Sequence, residues 1–379
     1  MIFDYETMRL IWWALVGALL IGFAITDGFD LGVAILLPFL GKNDSERRVI
    51  INSIGATWEG NQVWFVTAGG ALFAAWPVAY SVAFSGFYFA LLLTLFALFL
   101  RPIGFDYRSK LPSQKWRNNW DIALFVGGLV PALIFGVAFG NLLQGVPFYF
   151  DNDMRIFYTG SFWALLNPFA LAAGLLSLSM LIMHGAVYLQ LKTEGDINHR
   201  CKKVVTVFAI LTLVIFALAG IWVAYIDGYH ITTEIFTNAP SNPLAKIVSK
   251  EPGLWLDNYA HYPVLWVIPA LAFIAGAVTI VLSKTERPGL AFIASSLTLA
   301  SVILTAGVSM FPFLIPSSSA LNSSLTVWDA SSSLATLKIM FWVTVIFLPI
   351  VVAYTSWVFR VLRGKITLKH IQQNDHTAY

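Results

Sequence analysis

The sequence predicts an all-α protein that crosses a membrane many times, and three observations lead there. Of the 379 residues, 58% are hydrophobic and 11% charged, with a mean hydropathy of +0.75, whereas a soluble domain carries about a quarter charged residues. The apolar residues come in runs of about 20 or more, long enough to span a ~30 Å hydrocarbon core as helices. The charges lie mostly between those runs.

Nine runs can be followed along the chain, at about 10–40, 50–76, 78–101, 120–143, 161–190, 204–226, 262–283, 289–314 and 337–360. They form one transmembrane domain over 1–379. The first is too long for a perpendicular helix and is expected to tilt or project beyond the bilayer. Its approach, Met1 to Thr7, is acidic and the run is far longer than the apolar part of a secretion signal, so no cleavable signal is expected. The connections after runs one, three, five and seven and the tail after run nine, with Arg101 and Arg360 at the run ends counted among them, hold 3, 5, 4, 2 and 4 Lys and Arg, which is 18 of the 23. The positive-inside rule therefore predicts a periplasmic N-terminus and a cytoplasmic C-terminus. On this reading the clusters Arg108, Lys110, Lys115, Arg117 and Arg200, Lys202, Lys203 are topology signals. The three long outer connections, rich in Pro, Ser, Asn and aromatic residues such as Trp255, Tyr259, Tyr262 and Trp328, are expected to be packed caps.

Composition also narrows the chemistry. A net charge of +3 does not suggest nucleic acid, and the lone Cys201 excludes a disulfide framework, CxxC zinc sites and a CxxCH haem attachment. There is no Gly-rich phosphate loop, nucleophile elbow or HExxH. His199, His370 and His376 fall in cytoplasmic segments, and His230 and His261 flank an outer loop, which leaves His184 alone within a run. A bis-histidine haem needs a second ligand at that depth. Met183 or Met310 could serve, but packing accounts for both, so no metal or haem is expected to be held by this chain alone.

Of the 20 acidic residues, 16 lie in loops, tails or helix ends, leaving Asp27, Asp30, Glu59 and Asp121 inside runs. A carboxylate in hydrocarbon is costly unless paired, hydrated or protonated, which makes these positions functional candidates. Asp27 and Asp30 are three apart and share a helical face. If runs one and two turn near Ser45, Asp30 is 15 residues before the turn and Glu59 14 after it, so both reach one depth. Gly28, Gly32, Gly55 and Gly60 would let the two helices approach, with Asn52, Ser53, Asn61 and Gln62 adding polarity. The expectation is a polar seam containing Asp27, Asp30 and Glu59. Arg101 and Asp121, flanking the loop Pro102 to Trp120, are expected to form an ion pair that staples its ends. Each acid has two readings, a group that handles protons or a buried, satisfied contact between helices. The first also admits a proton- or Na⁺-coupled transporter, and the second a pure scaffold.

Three runs of letters carry a resemblance. Thr26-Asp27-Gly28-Phe29-Asp30-Leu31-Gly32, Trp58-Glu59-Gly60-Asn61-Gln62-Val63-Trp64 and Arg101-Pro102-Ile103-Gly104-Phe105-Asp106-Tyr107-Arg108 closely resemble subunit II of the bd-type quinol oxidases. The resemblance covers the whole chain. It implies a multi-pass protein of the bacterial inner membrane, built as two four-helix bundles plus one peripheral helix. The enzyme it implies is a terminal oxidase of aerobic respiration, oxidising ubiquinol and reducing dioxygen to water, which generates proton-motive force without pumping. Two b-type haems and one d-type haem are implied in the partner subunit I, with small single-span accessory subunits beside it and a ubiquinone bound by this chain in some members. Residue by residue, the resemblance makes Asp30, Arg101 and Asp121 positions where charge supports haem assembly or activity, and Asp27 and Glu59 the remaining acids of the seam. Asp27, Asp30 and Glu59 are then candidates for a proton path. Trp58 and Trp64 are candidates to line a dioxygen path, with packing as the plainer role.

Overall fold

The computed structural model describes residues 3–367 and Ile371, so Lys369, His370 and His376 lie outside the described residues. Helix α1, Tyr5–Leu40, starts where the Asp4 side chain accepts a bond from the Thr7 amide. Its 36 residues extend about 54 Å at 1.5 Å per residue, well beyond a hydrocarbon core, as its length predicts. The second run is not one helix. It divides into α2, Asp44–Gly55, capped by Asn43, and α3, Trp58–Ala75. At the break the Thr57 amide closes a short turn onto the Ile54 carbonyl at 3.0 Å. The third run also divides, into α4, Pro77–Gly86, and α5, Tyr88–Tyr107.

The remaining runs give α6, Gln114–Gln144, α7, Pro168–Lys192, and α8, Gly195–Val223. A short α9, Asp257–His261, precedes α10, Val267–Lys284, α11, Pro288–Met310, and α12, Leu334–Val361. Among the described residues eight helices are long and apolar enough to cross a membrane: α1, α5, α6, α7, α8, α10, α11 and α12. The difference from nine runs is α3, whose opening Trp58-Glu59-Gly60-Asn61-Gln62 dilutes its apolar character.

Helices α1, α3, α5 and α6 pack in a ring closed through α4, and α7, α8, α10 and α11 pack in a second. Both α1 and α6 lie against α7, which joins the rings, and α12 rests on α1 and α3. At the α1–α7 crossing the backbones touch: an added Cβ at Gly185 would lie 2.6 Å from the Gly32 carbonyl carbon, and one at Gly32 would strike the Leu181 carbonyl oxygen. Gly28 likewise seats the Leu181 side chain. Of the glycines expected to admit the second run to α1, Gly28 and Gly32 thus admit α7 instead, and Gly60 meets open space.

The long connections fold as caps containing three antiparallel hairpins, the one departure from an all-α chain. Strand β1, Phe148–Phe150, pairs with β2, Ile156–Tyr158; β3, Asp227–Ile231, with β4, Val248–Pro252; and β5, Phe313–Ile315, with β6, Leu325–Thr326. Trp255 and Tyr259 are buried there as expected, whereas Tyr262 is exposed. Gly145, at a φ of +82°, turns the chain out of α6 where a side chain would collide with the Tyr229 hydroxyl. Buried Arg9 ties α1 to these caps, donating to the Thr237 and Ala239 carbonyls and to the Ser241 and Ser331 hydroxyls. Lys246 pairs with Asp329 at 2.8 Å, and burial pushes the Asp329 carboxyl up and the Lys246 ammonium down from their ordinary values.

Two outcomes follow from this packing. Gly185→Leu, which forces α1 and α7 apart, lowers stability by about 3 kcal/mol or more by overpacking, measured as a fall in the thermal midpoint of the detergent-solubilised protein. Lys246→Met alone leaves Asp329 uncompensated and costs about 3 kcal/mol, while Lys246→Met with Asp329→Leu recovers most of that loss in the same assay.

Candidate functional site

Asp27 and Asp30 sit on one face of α1, as their spacing predicts, and both are fully buried. Arg101, also fully buried, reaches Asp27 from α5 in a two-pronged pair, with Nη1 donating to Oδ2 at 3.0 Å and Nη2 to Oδ1 at 2.7 Å. This fork geometry is the strong form of a carboxylate–guanidinium contact. Asp30 accepts from Asn61 Nδ2 of α3 at 2.8 Å through Oδ2. Its Oδ1 and the Arg101 Nε have no hydrogen-bond partner among the described residues. The cluster therefore sets two carboxyl groups against one guanidinium in the buried interior of the protein. Arg101 binds both oxygens of Asp27, so Asp30 is the carboxyl left with an open acceptor among the described residues. The Trp58 ring lies 5.7 Å from the Arg101 guanidinium carbon and 5.4 Å from the Phe105 ring, walling the cluster.

Glu59 does not join this seam. It is exposed on the outward face of α3, and Asn61, two residues on, is the group that meets Asp30. The depth argument assumed a continuous helix from the turn near Ser45. The break between α2 and α3 resets the helical phase, so residue 61 rather than 59 faces inward. Trp64 packs on α1, where a Cβ at Gly22 would meet its ring at 2.6 Å.

The expected pair of Arg101 with Asp121 is also corrected. Asp121 accepts instead from Arg108, at 2.5 Å from Nε and 3.2 Å from Nη2, and from Arg47 Nη1 at 2.7 Å. The cause is that α5 continues through Pro102 to Tyr107, leaving Arg101 about two turns inside the helix. Arg108 extends the network to Asp44 at 3.0 Å, and Arg117 meets the same carboxylate at 2.6 Å. Arg108 is 1% exposed, so it is a buried lock between α2, α5 and α6 rather than a surface topology signal. Its spacing of seven from Arg101, two turns along one helical face, was the signal for this role.

His184 has both ring nitrogens engaged, Nδ1 with Ser295 Oγ at 2.8 Å and Nε2 with the Ile25 carbonyl at 2.9 Å. Neither is left for a haem iron, and the described residues contain no cluster of three His, Cys, Asp or Glu fit for a metal. Among the described residues, His184 therefore does not fit as a haem ligand.

Residues 8–362 match the family model described as cytochrome bd terminal oxidase subunit II. The chain belongs to that family. It is 55% identical over 377 residues to cytochrome bd-I ubiquinol oxidase subunit 2 of Escherichia coli K12, covering 99% of this chain and 100% of that one. A probable cytochrome oxidase subunit 2 of Haemophilus influenzae is 53% identical over 376 residues, covering 99% and 100%. In fold, the bd oxidase structure from Geobacillus thermodenitrificans superposes with a TM-score of 0.69 at 17% identity, covering 94% of this chain and 98% of that one. This subunit II is thus part of a terminal oxidase of the bacterial inner membrane, in keeping with its eight long apolar helices.

Arg101→Leu strands Asp27 and Asp30 together without a countercharge. The expected loss is about 3–5 kcal/mol, seen as a collapse in monodisperse protein recovered from membranes, with partial recovery in Arg101→Leu combined with Asp27→Leu.

Proposed function

We propose that this chain is the haem-free subunit of a ubiquinol-oxidising, dioxygen-reducing complex and that its buried cluster exchanges protons at Asp30 while Arg101 holds Asp27 fixed. The observation that carries this reading is the unpartnered Asp30 Oδ1, an acceptor at membrane depth beside a neutralised pair. Intramembrane carboxyls of that kind mark proton relays. The relative in Escherichia coli is a ubiquinol oxidase subunit, and the same substrate is inferred here.

In this reading α2 and α3 together make a ninth crossing, the N-terminus is periplasmic and the C-terminus cytoplasmic. Protons consumed in reducing dioxygen are drawn from the cytoplasm, so turnover builds proton-motive force without pumping. The two b-type haems and the d-type haem belong to subunit I, with a small single-span subunit alongside, because His184 offers no free nitrogen here. Charge at Arg101 and Asp121 supports haem assembly indirectly, by holding this chain in the shape its partner requires.

The outward face of α3 is the surface offered to subunit I. It carries exposed Glu59 with Gly60, Val63, Val66, Gly70 and Phe73, and added Cβ atoms at Gly60 and Gly70 would meet nothing within 4 Å. Lipid tails do not solvate a carboxylate, whereas a protein partner with polar groups does. Glu59 then lies where a proton leaving Asp30 can pass to that partner. A ubiquinone bound by this chain belongs to this reading, and the recess lined by Val33, Leu37, Ile54, Phe105 and Leu124, at about 10 Å³, is too small to hold it. Trp58 and Trp64 act as packing groups in this account. The transporter reading of the same acids is not favoured by membership of an oxidase subunit family.

The test separates assembly from turnover. Asp30→Asn and Glu59→Gln are made in the purified complex, haem content is read from dithionite-reduced minus oxidised spectra, and quinol-driven oxygen consumption is measured beside it. Retained haem with turnover reduced by about 10²-fold is expected for a relay group. Full haem and normal turnover in both variants would sink the relay, and haem loss with a proportional loss of activity would leave the cluster a structural element.

A further inference from the structure

Away from the buried cluster, the basic end of the bundle holds a recess of about 340 Å³ between the last turn of α1 and the first turns of α8. It is lined by Phe39, Leu40, His199, Arg200, Lys203 and Val204. Arg200 is held in place by Glu46, at 2.7 Å from Nη2 to Oε2. His199 and Lys203 are exposed and make no ion pair or hydrogen bond with a described residue, and no acidic side chain lines the recess among those residues. Three basic groups therefore converge on an open space, and two of them have no partner among the described residues.

What lies below the recess identifies the occupant. Lys203, Val207, Ile210 and Val214 follow one another at helical spacing on α8, and the three apolar ones are about half exposed. Phe39 of α1, 59% exposed, adds an aromatic wall at the level of the recess. A basic pocket placed directly above a lipid-facing apolar strip matches a molecule with an anionic head and an acyl tail in one piece. A soluble anion would satisfy the first half of that pattern and a neutral lipid only the second.

We infer that this recess is a binding site for an anionic phospholipid, its phosphate held by Lys203 and His199 with Arg200 behind them and one acyl chain lying along Val207, Ile210 and Val214. Charge supplies the selectivity, since a zwitterionic headgroup places its own cation against the same basic side chains.

The complex is reconstituted in vesicles of phosphatidylethanolamine and phosphatidylglycerol containing a trace of a photoactivatable phosphatidylglycerol or, separately, a photoactivatable phosphatidylcholine, and the cross-linked peptides are mapped. The phosphatidylglycerol probe is expected to label the peptides carrying residues 39–40 or 199–204 about tenfold more than the phosphatidylcholine probe. His199→Ala combined with Lys203→Ala should reduce that labelling to the phosphatidylcholine level, and added inorganic phosphate should leave the wild-type labelling unchanged. Equal labelling by both probes, undiminished labelling in the double variant, or displacement by inorganic phosphate would overturn the assignment. Should the double variant fail to assemble with its haem, Val204→Trp fills the recess with the charges kept; loss of labelling there supports the site and persistence overturns it.

Discussion

A guanidinium and two carboxyl groups in a hydrophobic interior set the terms for everything around them. Arg101 cannot be buried without Asp27, and Asp27 cannot be buried without Arg101, because an isolated charge at that depth costs several kcal/mol. Their two-pronged contact holds α5 against α1 in one register. Asn61 then fixes α3 against the same face of α1 through Asp30. Three helices from the first half of the chain are thereby positioned by four polar side chains, in a setting where the apolar remainder gives little preference for one rotation over another. The close backbone contact of Gly32 with Gly185 joins the same helix to the second ring, so α1 transmits the placement of the cluster to the whole subunit.

The polar groups divide into two layers with different character. The inner layer has one more carboxyl than it has cations, and it is walled by Trp58 and Phe105. The layer at the basic end is over-connected: Asp121 and Asp44 are bridged by Arg108, with Arg47 and Arg117 adding further bonds. Each carboxylate of the outer network meets two guanidinium groups, whereas Asp30 keeps one oxygen without a partner among the described residues, so the second layer is the more fully locked of the two.

Much of this was legible in the letters. The fold class followed from the apolar runs, and the pairing of Asp27 and Asp30 on one face followed from their spacing. Glu59 and Arg101 were misplaced for related reasons. Both inferences assumed helices ending where hydrophobicity ends, whereas α2 stops at Gly55 in mid-run and α5 runs on past Pro102. Helix breaks are set by hydrogen bonds such as that from Thr57 to Ile54, and a hydropathy pattern does not record them. Arg108 was lost among the basic residues between the apolar runs, because the same side chain type serves a loop facing water and a buried lock. The cap hairpins were legible only as aromatic, Pro-rich connections, since their pairing joins residues far apart in sequence.

The weak apolar character of α3 has a consequence for how the chain is made. A segment opening on Trp58-Glu59-Gly60-Asn61-Gln62 has little tendency to leave the translocon for lipid unaided. Asp30 waits about thirty residues for Asn61, and Asp27 about seventy for Arg101. Helices α1, α3 and α5 are thus complementary pieces whose polar contacts are complete only when all three have been made. The packing of the mature subunit and the order in which its first helices can pair rest on the same four side chains.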